Sequence, residues 1–173
     1  MMINKIRKLI ESGQIKGEIL EHPGQDGLTS EQAALAHGVN LDQIVKTLLF
    51  VDKKGNKAVV IIQGDKRVGS KKISGLKKPK IANFEELKEV LGCEPGGVPP
   101  VGLPEEILKL VDEAVVDLNF VIGSAGDRFS GLKLKPDIIT SQPNTQVLDL
   151  KEGQDNCKIL ITRGAGVAKR NGL

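Results

Sequence analysis

The densest chemistry in this chain is carried by main chain rather than by side chains. Glu94 to Pro104 reads EPGGVPPVGLP, with four prolines and three glycines, so neither a regular helix nor a central strand can run through it. Gly96, Gly97 and Gly102 expose backbone N–H groups around Val98, while Pro99 and Pro100 stiffen the turn. Such a loop can hold a carbonyl or an oxyanion without any side chain taking part. The same composition also suits a rigid connector or a polyproline-type docking segment. A second glycine-rich run, Gly123 to Asp127 (GSAGD), follows the apolar stretch NFVI and ends where ligands are often held.

The side chains are weighed singly. Lys46 stands between Ile44-Val45 and TLLFV, apolar surroundings from which an ammonium ordinarily snorkels to water. His22 precedes Pro23 in a loop and is open to lining a site, whereas His37 precedes Gly38 at a helix C-terminus, where dipole capping is its expected role. Cys93 has no histidine near it in sequence and reads as a buried, inert thiol. Gly64 to Lys71 (GDKRVGSK) has the glycine spacing of a phosphate loop, but Ser70 and Lys71 stand in the reverse of the required order. Gly164 to Lys169 (GAGVAK) lacks the last small residue of a dinucleotide fingerprint and reads as part of a basic tail. The two cysteines form no CxxC pair and no histidine lies at metal-ligand spacing from them, so neither a disulfide scaffold nor a structural zinc site is expected.

Several elements must position these residues. Ile3, Ile6, Leu9 and Ile10 share one helical face that Gly13 ends. Thr29 with Gln32 forms a capping-box pair opening a helix that ends at Gly38, and a short turn is expected over 41–45. TLLFV (47–51) and AVVII (58–62) flank a polar turn containing Gly55, which predicts a β-hairpin. Asn83 with Glu86 caps a helix over 84–91, with Phe84, Leu87, Val90 and Leu91 as its apolar stripe. Further strands are expected at 109–111, 120–122, 132–134 and 158–162. An antiparallel hairpin among interleaved helices excludes a doubly wound parallel sheet. The expected architecture is α/β, with a mixed, mostly antiparallel, barrel-like sheet and packed helices.

Composition sets the outer bounds. At 173 residues, with 39% hydrophobic and 27% charged residues, one globular domain is expected. Aromatic residues are 2% of the chain, which argues against RNA binding on stacked rings. The net charge of +3 permits an anionic partner without requiring one. The N-terminal apolar residues are broken by Lys5, Arg7 and Lys8, and no long apolar run follows, so a soluble cytoplasmic protein with no membrane partner is expected.

Read in order, HP with a downstream TSEQAA, then IVKTLLF, VVIIQGDKRV, GGVPPVGL, FVIGSAG and LKPDII resemble the YbaK/ProX editing domains. These domains also occur inserted in some bacterial prolyl-tRNA synthetases. The resemblance runs from about His22 to Asp137, in a core over 1–145 followed by an extension over 146–173. It implies hydrolysis of the ester between a small, wrongly attached amino acid and the 3′-terminal adenosine of tRNA, with association to a synthetase as a further expectation. It implies that Lys46 holds the phosphate of that nucleotide. It gives the loop from Gly96 to Pro100, with Gly97, Val98 and Pro99, main-chain contact to the aminoacyl group, and extends the site to His22 and Gly102. Gly123, Ser124, Gly126 and Asp137 are the implied remainder of the pocket, and no metal or cofactor belongs to the scheme.

Overall fold

The computed structural model describes residues 1–153. The expected strand at 158–162 and the basic tail lie outside the described residues. The helices form where their end signals dictate. Helix α1 (Met2–Glu11) buries Ile3 and Ile6. Helix α2 (Ser30–His37) carries the full Thr29–Gln32 capping box and stops at Gly38, which adopts the left-handed conformation at φ 66°. Helix α3 (Phe84–Leu91) repeats this device with Asn83, Glu86 and Gly92.

The hairpin of β2 (Val45–Val51) and β3 (Lys57–Gln63) is antiparallel, pairing Lys46 with Ile62 and Val51 with Lys57. Asp52 organises its turn by accepting from the Lys54 and Asn56 amides, each at 2.9 Å, and from the Asn56 side chain. These bonds hold the Asp52 carboxyl at about 2, well below the usual carboxylate range. Strand β3 is the centre of a five-stranded sheet in the order β4-β2-β3-β5-β8. Its other members are β4 (Lys80–Ile81) and β8 (Thr145–Leu148) at the edges and β5 (Leu108–Asp112) between β3 and β8, and the β3–β5 and β5–β8 pairs are parallel. Ala58 to Ile62 are fully buried because that strand is covered on both faces, which explains an apolar run without alternation.

A second sheet orders β1 (Glu18–Glu21), β7 (Ser130–Leu134) and β6 (Val121–Ser124), all antiparallel. The main core fills the space between the sheets, joining Leu49, Val59, Ile61 and Val111 to Val121, Leu132 and Leu134. The fold is thus mixed and mostly antiparallel, as expected, but it is not barrel-like. Two sheets meet at one parallel bridge, Ile44 to Ile122, and neither closes on itself. The short helices α4 (Glu113–Val116) and α5 (Pro136–Thr140) complete the packing. The expected boundary at residue 145 falls on the first residue of β8, whose ladder to β5 and whose neighbour Leu150, fully buried, continue the core beyond it. Among the described residues, no helix is long and apolar enough to cross a membrane.

Candidate functional site

The two sheets part just beyond the Ile44–Ile122 bridge. Strand β4 covers only Phe50 and Val51 of β2, so the opening half of β2 has no strand partner on that side. A cavity of about 310 Å³ occupies this gap. Val45, Lys46 and Thr47 form its base, the start of α2 with Ser30 and Glu31 forms one wall, and Gly123 and Ser124 at the end of β6 form another. Gly96 and Val98 close it from the Gly/Pro loop.

Of the residues expected from sequence, His22, Lys46, Gly96, Val98, Gly123 and Ser124 line the cavity together. The others stand behind it or away from it. Pro100 is buried against the far side of Gly123, where an added Cβ would come within 2.9 Å of the proline ring. Pro99 is buried, and the Gly97 amide is committed to the Glu94 carbonyl at 2.9 Å, closing the turn instead of facing a ligand. Gly102 lies beneath α1, its carbonyl accepting from Lys5 Nζ at 2.6 Å. Gly126, at φ 121°, gives α1 room to approach, since a Cβ there would reach Ile3 N at 2.5 Å. Asp137, in the first turn of α5, borders a different cavity with Lys16, Phe120 and Lys133.

Sequence reasoning missed four features of the site. His37 is more than a helix end: its ring meets that of His22 edge to face, centroids 4.7 Å apart at 88°, and its edge abuts Gly131. Burial first, and then the neighbouring His22, lower its pKa. Thr47 is buried with Oγ1 unpartnered, the one such side-chain atom among the described residues. Arg128 lines the cavity while bonded to Asp26 at 2.8 Å. Gly64 completes the floor, so close to Ser30 that a Cβ would stand 2.6 Å from the serine Cβ. The local signals at His37 and Gly64 did not point to these roles, and Thr47 and Arg128 had none, because the surroundings of each come from segments apart in the chain.

The electrostatics single out Lys46. It is partly withdrawn from water, and that burial lowers its pKa, with Glu31 and Asp65 opposing and Arg67 reinforcing the shift. No hydrogen bond or ion pair engages its ammonium among the described residues, so it is a cation held beside a cavity with its donors uncommitted. The Nδ1 of His22 lies 2.7 Å from the Gln25 carbonyl, which can only accept; Nδ1 therefore carries the hydrogen, and a neutral His22 offers Nε2 as an acceptor. The Ser124 hydroxyl donates to the Asp127 carbonyl at 2.9 Å and accepts from the Gly126 amide at 3.0 Å, so it shapes its turn and is no free nucleophile. Cys93 lies outside the cavity, buried, its thiol pushed up to about 11 by desolvation, in keeping with an inert thiol. The arrangement can bind an anion at Lys46 and polarise a neighbouring group, and it offers no activated Ser or Cys nucleophile.

Comparison with known proteins gives this geometry a setting. A protein of Enterococcus faecalis provisionally named Cys-tRNA(Pro)/Cys-tRNA(Cys) deacylase EbsC is 30% identical over 129 residues, 73% of this chain and 79% of that one. A proline–tRNA ligase of Xanthomonas axonopodis pv. citri is 29% identical over 148 residues, where the match spans 80% of this chain but only 26% of the ligase. A crystal structure provisionally described as a trans-editing enzyme for prolyl tRNA synthetase superposes with a TM-score of 0.76 at 29% identity, covering 88% of this chain and 98% of that one. Residues 25–140, which hold Lys46, the Gly/Pro loop and β6, match the aminoacyl-tRNA editing domain, and the chain belongs to that family.

Proposed function

We propose that this protein is an aminoacyl-tRNA deacylase that removes a small, wrongly attached amino acid from the 3′ end of tRNA. The observation that carries this reading is the uncommitted, partly desolvated ammonium of Lys46 at a cavity closed by the Gly/Pro loop and the end of β6. A volume of about 310 Å³ is at the small end for ligand sites and suits a small aminoacyl group. Lys46 takes a phosphate of the terminal nucleotide as a charge-assisted contact, and Gly96 with Val98 borders the aminoacyl group. Among the described residues no Ser or Cys is hydrogen-bonded to a histidine that could activate it, so water attacks the ester carbonyl carbon directly. The carbon–oxygen bond to the ribose breaks, and the proton released by the water passes to the ribose oxygen, leaving a free amino acid and tRNA with its hydroxyl restored. A neighbouring ribose hydroxyl of the substrate assists that transfer. Work in the cytoplasm beside a prolyl-tRNA synthetase belongs to the same reading, and the names of the relatives support its link to prolyl-tRNA charging.

The test is single-turnover deacylation of tRNA charged with Ala, Cys, Ser or Pro. Hydrogen bonds to charged groups contribute about 1.5 to 3 kcal/mol, so Lys46→Ala lowers the rate by roughly ten- to a hundredfold. The melting temperature stays level or rises, because a partly desolvated cation is removed. Full activity in Lys46→Ala, or no ester loss from any of the four substrates with the wild type, overturns the proposal and leaves a binding module of the same fold.

A further inference from the structure

The positive charge of this chain is concentrated in one place. Residues 64–80, GDKRVGSKKISGLKKPK, hold seven of its 25 basic residues and one of its 22 acidic residues. The rest of the chain is therefore net negative, although the whole carries +3.

This segment begins at the cavity and is firmly seated. Gly64 forms part of the cavity floor, and its amide donates to the Ile44 carbonyl at 2.6 Å. Asp65 and Arg67 are near enough to bias the protonation of Lys46. The chain then crosses the face of the five-stranded sheet turned away from the main core. Val68 bridges to Lys151, the Gly69 amide donates to the Leu150 carbonyl at 2.8 Å, and Ile73 is buried against the cluster of Phe50, Val60 and Leu110. The Lys77 amide is held by Asp52 at 3.1 Å, and Lys80 enters β4 opposite Val51. The strap thus runs from the cavity to the far end of β2, a seven-residue strand ~20 Å long.

Its cations differ in engagement. Lys66, Arg67 and Lys72 each pair with an acidic neighbour. Lys71, Lys77 and Lys78 are exposed, and among the described residues their ammonium groups make no ion pair. No aromatic residue lies in the segment, so it cannot stack bases, and what it presents is a row of point charges. Such a row suits a phosphate backbone, which fixes position without reading sequence. We infer that the strap 64–80 is the docking surface for the sugar–phosphate backbone of the tRNA acceptor arm, guiding the 3′ end into the cavity at Gly64. This inference rests on the deacylase reading for the identity of the RNA.

The experiment uses the full chain and the triple variant Lys71→Glu, Lys77→Glu, Lys78→Glu. Binding of uncharged tRNA is measured across a salt series. The wild type shows a steep salt dependence, and the variant binds on the order of tenfold or more weakly, with a slope of log Kd against log salt shallower by roughly two. Deacylation is compared on full-length aminoacyl-tRNA and on the same aminoacyl ester of a CCA trinucleotide. The variant loses kcat/KM on the long substrate by at least tenfold more than on the short one. Equal losses on both, or an unchanged salt slope, overturn the docking surface. If the wild type cleaves neither ester yet the tRNA-binding difference holds, the deacylase reading fails and the RNA-binding surface stands.

Discussion

Two regions of this molecule bury polar and charged side chains, and they treat them in opposite ways. At the β5–β8 edge, Lys109 is fully buried and its ammonium donates to the carbonyls of Pro104, Ile107 and Pro143 at 2.7, 3.1 and 2.9 Å. Nearby, Asp112 is also fully buried; it caps α4 through the Ala114 amide, accepts from the Leu150 amide at 2.8 Å and pairs with Lys151. Every donor and acceptor there is used. At the cavity between the sheets, the Lys46 ammonium is uncommitted, and behind the cavity wall the buried Thr47 hydroxyl is unpartnered. Saturated polar groups tie a fold together, because removing one partner strands the others in low dielectric. Unsaturated ones cost stability and persist where a ligand completes them. The comparison separates a buried lysine that holds loops from a half-buried lysine whose donors are left free at a cavity.

The largest effect expected from this contrast is at Lys109. Lys109→Ala leaves three carbonyls without their donor and lowers stability by about 3 to 5 kcal/mol. At roughly 2 to 4 °C per kcal/mol for a chain of this size, the melting temperature falls by on the order of 10 °C. Activity per folded molecule is retained. A variant as stable as the wild type means that the hydrogen bonds at this edge do not hold β8.

Thr47→Val is the opposite case and a smaller one. It removes an unpaired buried hydroxyl while keeping the shape, so the melting temperature holds or rises by a few degrees at the ~1 kcal/mol scale of such groups. Deacylation is unchanged within about twofold, because the hydroxyl is sealed from the cavity. A clear drop in melting temperature assigns Thr47 to the saturated class and breaks the comparison.

The smallest effect is a pH dependence. The folded protein keeps the His37 pKa below its ordinary value of 6.5, so the unfolded chain binds more protons just below that pH. Stability present above pH 6.5 is therefore lost as the pH falls through this value, and the loss levels off below the folded pKa. His37→Gln flattens this part of the curve, as read by thermal midpoints between pH 5 and 8. Asp52 gives a second, separate window: its carboxyl shifts from 3.8 to about 2, so the stability it contributes is lost as the pH falls between those values. If His37→Gln leaves the curve between pH 5 and 8 unchanged, the burial of His37 is not linked to folding.

What the sequence by itself determined is local. Thr29 with Gln32 and Asn83 with Glu86 set two helix starts through contacts three residues apart, and Gly38 and Gly92 set two ends. The β2–β3 hairpin was legible because its turn and both apolar runs are contiguous; the Gly/Pro loop stood out by residue type, and Lys46 only by family pattern. Short β1 and β8 carry no such signature, since exposed and half-buried residues alternate weakly in them. Only the tertiary structure decided the parallel β3–β5–β8 pairing, the opening of the sheets beyond Ile44 and Ile122, and the separation of Gly102, Gly126 and Asp137 from the cavity. It alone set His22 against His37 and aligned three carbonyls on Lys109, because such contacts join distant segments that meet only when the apolar faces between them are packed.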